Sequence, residues 1–254
     1  MNPFDLSDKT AVVTGSSLGI GRSIAEHMAR AGARVVISSR KEKACQEVAA
    51  AINRNGGQAI AVPANVSNQD HLENLIAETN KQFGPVDILV CNAAANPYYG
   101  PLTEITDEAY HKTLDTNILS LIRLFGLVAE GMAARGGGSL IVISSVGAVK
   151  ATPNLGAYAI SKAANLQVVR TLAAEWGEKQ IRVNAILPGL VKTEFARVLW
   201  DNPDAEKKAS TRLPLRRLGE SDDIGPAAVF LASRAGEWMT GQSLIIDGGS
   251  LLLN

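Results

Sequence analysis

A β-prone run, Thr10-Ala-Val-Val-Thr14, leads directly into Gly15-Ser-Ser-Leu-Gly-Ile-Gly21, and this junction constrains the chain more than any other feature. Glycines at this density let a backbone turn sharply out of a strand, and the spacing Ile20, Ile24, Met28 predicts a helix straight afterwards. A strand, a glycine turn and a helix N-terminus together make a cradle for an anion, with amide N–H groups directed at a pyrophosphate. The pattern is GxxxGxG rather than GxGxxG, so the strand-to-helix setting carries the reading more than the glycines do. Gly15 to Gly19 also match GxSxG, the nucleophile elbow of serine hydrolases, with Ser17 as nucleophile. That chemistry needs a histidine after the acid, and the three histidines are His27, His71 and His111, all early. The phosphate cradle is the stronger reading, lined by Gly15, Ser17, Gly19, Ile20 and Gly21.

Further short apolar runs follow at Arg34–Ser38, Ala59–Pro63, Val86–Val90, Ser139–Ile143, Ile181–Leu187 and Ser243–Ile246. They are continuous rather than alternating, as expected of strands buried on both faces. Between them run helical patterns, including Leu72, Leu75, Ile76, Thr79 and Phe83, which Asn68 is placed to cap. Gly32 suits the left-handed residue that ends the first helix. Repeated strand–helix–strand predicts an α/β fold, a single doubly wound (Rossmann) domain over residues 1–254 with about seven parallel strands and helices on both faces. The polar stretch 190–218 reads as a substrate-covering loop with short helices.

Composition removes several functions. Lys plus Arg and Asp plus Glu are each 25, so the chain carries no basic footprint for nucleic acid or an anionic membrane. Cys45 and Cys91 stand far apart with no metal-ligand spacing, so no metal is expected, and so few thiols fit a reducing compartment. The first residues include two acids and no apolar core of a secretory signal, and no uncharged run is long enough to span a bilayer, so a cytoplasmic location is expected.

In a dinucleotide fold, an acid about 20 residues beyond the glycines binds the ribose 2′-hydroxyl, whereas an arginine accepts a 2′-phosphate. Here Arg40 follows Ser39, and the first carboxylate is Glu42, so NADP(H) is expected over NAD(H). Tyr158 and Lys162 lie one helical turn apart on one face, and Ser145 follows the fifth strand at the sheet's carboxyl edge, where doubly wound folds bind ligands. Asn117 falls within an apolar helical pattern (Leu114, Ile118, Leu121) and needs a partner if buried.

These pieces, with Asn92-Ala-Ala94, Arg182-Val-Asn184, Pro188-Gly189, Thr193 and Asp247-Gly-Gly249, make the chain resemble the short-chain dehydrogenase/reductase family over nearly its whole length. Asn92 through Gly100, Gly189 through Thr193 and Leu215 through Gly219 look most like the NADP-dependent carbonyl and retinal reductase branch. The resemblance implies Tyr158 as general acid toward a carbonyl oxygen, Ser145 as the hydrogen bond that holds that oxygen, and Lys162 as the cation favouring the phenolate. It also implies that Lys162 holds the cofactor ribose and that Asn117 positions a water that passes protons to Lys162. The cofactor would further meet Tyr158 beside the nicotinamide, Asn65 and Val66 at the adenine, Asn92 and Ala93 after the fourth strand, and Pro188, Gly189, Val191 and Thr193 after the sixth. Two positions depart from the pattern: Asn65 replaces the usual Asp, and Ala94 a frequent glycine.

Wall residues expected around a small-molecule carbonyl or alcohol substrate are Ala95, Tyr98, Tyr99, Val146, Val149, Leu155, Leu190, Val198, Leu199 and Trp200, an apolar set suited to a hydrophobic ketone or aldehyde. The family resemblance also admits a 3-oxoacyl-carrier-protein reductase. Arg135 could then meet an acidic carrier, although Ala174 before Glu175 lacks the second arginine. A non-catalytic NADP-binding regulator on the same fold is a third reading. A homotetramer is expected from the family and from the broadly apolar stretches Leu114–Met132 and Leu155–Trp176.

Overall fold

Seven apolar runs become seven strands: β1 Thr10–Thr14, β2 Arg34–Ser38, β3 Gln58–Ala61, β4 Ile88–Cys91, β5 Gly138–Ile143, β6 Ile181–Pro188 and β7 Ser243–Ile246. The computed structural model describes residues 2–253. Its strands form one parallel sheet in the order β3-β2-β1-β4-β5-β6-β7. The order reverses between β1 and β4, which opens a crevice at their carboxyl ends.

Alternation along each strand divides the core in two. Ala11, Val13, Val35 and Ile37 face the side covered by α1 (Gly19–Arg30), α2 (Glu42–Arg54) and α8 (Gly225–Ala232), where they meet Ile24, Met28, Val48 and Ala228. Val12 and Val36 face the opposite side, with Leu72 and Leu75 of α3 (Gln69–Phe83), Leu124 and Val128 of α5 (Ser120–Ala134) and Val169 of α6 (Gly156–Trp176). Two-sided burial explains why these strands read as continuous apolar runs. The short helices α4 (Asp107–Leu114) and α7 (Pro203–Ser210) border the crevice instead.

The local signals act as their chemistry predicts. Asn68 caps α3, its side-chain oxygen accepting from the His71 amide at 3.0 Å. Gly32 takes φ +100° after α1, and a Cβ there would strike Ser7. β4 starts two residues later than the run Val86–Val90 suggests, because the buried Asp87 carboxylate, itself paired with Arg135, accepts the Thr10 amide at 2.8 Å.

Residues 107–134 form one continuous helix, long and apolar enough to cross a membrane by length and composition. Leu121, Leu124, Phe125, Val128 and Met132 pack into the core beneath the sheet, the ordinary behaviour of a core helix. The helix is not uniform. Asp115–Leu119, between α4 and α5, is a π turn that the regular spacing Leu114, Ile118, Leu121 conceals.

Candidate active site

The crevice is a cleft of about 1310 Å³ that begins at the glycine turn. Gly15 and Gly19 adopt φ of +65° and +57°, a conformation other residues enter at a cost. A Cβ on Gly15 would lie 2.8 Å from Asn92 Nδ2, and one on Gly19 would lie 3.2 Å from the Thr193 methyl. The turn is therefore a bare backbone surface at the N-terminus of α1, which a pyrophosphate can approach closely. Thr14 and Asn92 hold it in place. Asn92 Nδ2 donates to the Thr14 and Gly15 carbonyls at 2.9 and 3.1 Å, while the Asn92 and Ala93 amides donate to Thr14 Oγ1. Asn92 lines the cleft, and its amide donors are spent on bracing the turn.

Ser17 has no base. His27 is bonded to Ser23, His71 Nδ1 accepts from the Asn65 amide, and His111 lies exposed on α4 at the cleft rim, packed edge-on against Tyr110. The geometry thus gives no support to a hydrolase.

At the adenine end the cleft is lined by Ser39, Arg40, Asn65 and Val66, and by Lys41, which sequence reasoning passed over. The Ser39 hydroxyl contacts Cys45 Sγ at 3.1 Å and accepts from the Lys41 amide, so it helps form the turn. Arg40 is exposed and takes no carboxylate partner among the described residues. Arg22 instead pairs with Glu26 at 2.8 Å and lies outside the cleft lining. Asn65 Oδ1 accepts from the Ser67 amide, which leaves its amide nitrogen as the group toward a base.

Beyond the turn stand Ser145, Tyr158 and Lys162, all on the cleft. Ser145 caps the short turn Val146–Ala148, its hydroxyl accepting from Gly147 N at 3.0 Å. Lys162 is almost wholly buried and donates to the Ile143 carbonyl at 2.8 Å, with its nitrogen 5.5 Å from the centre of the Tyr158 ring. Ser144 ties the same helix to β5 by donating to the Lys162 carbonyl at 2.9 Å.

Burial governs the electrostatics here. It pushes the Tyr158 phenol up to about 12, with the Ser145 hydrogen bond acting in the opposite direction. It draws the Lys162 ammonium down to about 8, opposed by the Cys91 thiol, which burial in turn pushes up to about 12. A phenol already depressed by Lys162 is therefore not what the protein alone supplies. Cys91, at the end of β4, is a neighbour of Lys162 that no motif announced.

Asn117 lies behind the cleft wall rather than on it. Its side chain is buried on the π turn, where Oδ1 accepts from Ala95 N at 2.7 Å and Nδ2 donates to Ala95 O at 3.0 Å and Ser161 Oγ at 2.9 Å. Both amide protons are committed, and the residue is absent from the cleft lining. It fastens the loop after β4 to α6.

Residues of the 190–218 stretch line the far end of the cleft, with a short 3₁₀ turn at Glu194–Leu199 followed by α7. Val191 pairs with Gly219, Gly189 N donates to Ile246 O at the end of β7, and Phe195 tilts against Tyr158 at 5.9 Å. Pro188, Gly189, Val191 and Thr193 all line the cleft, as do Ala95, Val146, Leu155, Leu190, Val198 and Leu199. Four expected wall residues do not. Tyr98 donates to the Pro101 carbonyl and folds over Gly100, Tyr99 and Val149 are exposed, and the Trp200 indole donates to Thr193 O. Phe195, Ala196 and Leu213 take their place.

A family model described as enoyl-(acyl carrier protein) reductase matches residues 15–250. The human protein named dehydrogenase/reductase SDR family member 4 is 38% identical over 245 residues, covering 96% of this chain and 88% of its own length. Two solved structures superpose closely. A 7α-hydroxysteroid dehydrogenase complexed with NADH and 7-oxo glycochenodeoxycholic acid has a TM-score of 0.94 at 37% identity, covering 99% of this chain and 98% of its own. A gluconate 5-dehydrogenase from Burkholderia cenocepacia in complex with NADP and tartrate has a TM-score of 0.93 at 32% identity, with the same coverage of both chains.

Replacing Asn117 by Ala should leave the Ala95 amide and carbonyl without their partners. A loss of about 1–3 kcal/mol from the orphaned amide alone is expected, read as a lower urea midpoint. An unchanged midpoint would show that the brace is dispensable.

Proposed function

The chain belongs to the short-chain dehydrogenase/reductase family, and from that premise we propose an NADP(H)-dependent enzyme in which Tyr158 exchanges a proton with the oxygen of an apolar ketone, aldehyde or secondary alcohol. Reversible oxidation and reduction between CH–OH and C=O with a pyridine nucleotide is the activity of this chain. The observation that carries the residue assignment is convergence: Ser145, Tyr158 and Lys162 line the same cleft as the glycine turn, at the switch point of the sheet.

The cleft fits a dinucleotide because its turn presents bare backbone where side chains would intrude, and its adenine end carries a free guanidinium. Glycines 15 and 19 and the start of α1 would hold the pyrophosphate, Arg40 a 2′-phosphate, Asn65 and Val66 the adenine, and Pro188 to Thr193 the nicotinamide side. When bound, the nicotinamide supplies the hydride. The protein's own residues then handle the proton. Ser145 holds the substrate oxygen beside Tyr158, and Tyr158, kept protonated by burial, donates to that oxygen as negative charge develops on it. Lys162, anchored on Ile143 O, stabilises the phenolate left behind.

The relatives divide between NADH and NADP, so Arg40 is what favours NADP(H) here. The carrier-protein reading weakens further, because Arg135 is paired with Asp87 and not free to meet an acidic partner. A pure binder would have no use for a buried lysine beside a phenol. Exposed Ile122 on α5 and Ile160 on α6, with Trp238 and Leu252 near the β7 edge, support assembly into a homotetramer. Two free thiols support a cytoplasmic location.

Tyr158→Phe should keep NADPH binding and lose about 10²–10⁴-fold in kcat; a variant retaining a tenth of the rate would remove the phenol from the mechanism. The pH profile of carbonyl reduction should fall on its alkaline side near about 8, where Lys162 gives up its charge, while Tyr158 is still a phenol. A flat profile there would remove Lys162 from the proton step. For the cofactor, Arg40→Ala should raise KM for NADPH by about tenfold or more and leave KM for NADH nearly unchanged, as expected for a lost charge-assisted phosphate contact.

A further inference from the structure

The charges on the cleft wall are unequal. Among the described residues, six cations line it and two carboxylates, Glu108 and Asp115. Four of the cations have evident work. Arg40 and Lys41 stand at the adenine end, Lys162 is buried beneath Tyr158, and Lys112 lies on α4 within helical reach of both acids. That α4 wall belongs to the cofactor side, since Thr116 of the following π turn shares a hydrogen bond with Ser67 after β3. Lys150 and Arg212 are left over.

These two converge at the opposite end. Lys150 lies five residues past Ser145 and is close enough to act electrostatically on Asp247. Arg212 precedes Leu213, whose side chain packs against Gly248, and Leu215 N donates to the Gly248 carbonyl. Both residues therefore lie near the 247–248 turn.

Among the described residues, neither has a carboxylate within ion-pair distance. Asp247 accepts from Gly249 N, Ser250 Oγ and Leu251 N and makes no ion pair. Three of the lid's other cations do find acids: Lys192 pairs with Glu206, Arg197 with Glu194 and Arg217 with Asp223. Near Ser145, Thr152 carries a buried hydroxyl with no hydrogen-bond partner among the described residues, and the two oxygens approach the same point above Gly147. The intervening wall is apolar, with Val146, Leu155, Phe195 and Val198.

We propose that the outer end of the substrate cleft is an anion subsite, in which Lys150 and Arg212 receive a carboxylate carried at the far end of an apolar ketone. The substrate class is then an amphipathic oxo-acid or its hydroxy-acid counterpart. Two cations at the mouth of an apolar cleft make the local potential positive, and a carboxylate is drawn to it while the apolar body fills the wall. The inference rests on the oxidoreductase reading of the same cleft and adds the substrate's charge.

The test uses phenyl alkyl ketones of graded length, each bearing a terminal carboxylate, beside their methyl esters, with NADPH oxidation followed by absorbance. At the length that spans the cleft, kcat/KM should favour the acid over its ester by about tenfold, mainly through KM, as expected for a charge-assisted contact. The preference should shrink with added salt. In the Lys150→Gln/Arg212→Gln double variant the acid-to-ester ratio should fall toward one, with NADPH fluorescence titration reporting that the variant still binds nucleotide. Equal turnover of acid and ester at every length would overturn the subsite while leaving the oxidoreductase reading intact. A ratio that survives the double substitution would also overturn it. Failure to reduce any carbonyl would bring down the oxidoreductase reading and the subsite together.

Discussion

Where β1 and β4 part at the switch point, a crevice opens that nothing in the sheet itself would hold to a fixed shape. Thr14 and Asn92 hold it. One hydroxyl accepts two amides from the β4 end, and one carboxamide spans two carbonyls of the glycine turn. Each bond is modest in isolation, but together they fix the bare turn against the residues that follow β4. From there Ala93 and Ala95 lead to Asn117, and Asn117 leads through Ser161 to the helix that carries Tyr158 and Lys162. The nucleotide cradle and the proton-handling pair are thus joined by side-chain amides rather than by direct contact.

The energetic character of that pair is set by burial more than by mutual attraction. A buried lysine resists its charge and a buried phenol resists losing its proton, so the protein alone favours phenol and a lysine that titrates near about 8. This holds Tyr158 in the form that can give a proton. The balance differs from one in which the lysine simply acidifies its neighbour, and in the mechanism proposed above it leaves Lys162 to stabilise the phenolate during turnover.

The sheet was legible in the sequence because two-sided burial requires continuous apolar runs, which stand out against amphipathic helices. Capping by Asn68 and the bend at Gly32 were legible too, since few residue types serve those positions. Asn117 shows the limit. The spacing of Leu114, Ile118 and Leu121 fits an α-helix, and an inserted π turn leaves that spacing nearly intact while redirecting one side chain. Wall residues were legible as a class but not in direction. Tyr98 and Trp200 are as apolar as Phe195, and only tertiary hydrogen bonds to Pro101 and Thr193 turn them from the cleft. A cation such as Lys150 carries no sequence mark that separates it from a solvated one.

The Thr14–Asn92 tie joins residues 78 positions apart in the chain. An all-parallel sheet offers no hairpin to nucleate such a closure, so it must follow the collapse of β1, β2 and β3 with their helices and the return of β4 to the centre. A nascent chain released before β4 would have its glycine turn but no second wall against it. Nucleotide affinity should therefore appear late in folding, when the two halves of the sheet have met, and it would serve as a natural reporter of that moment.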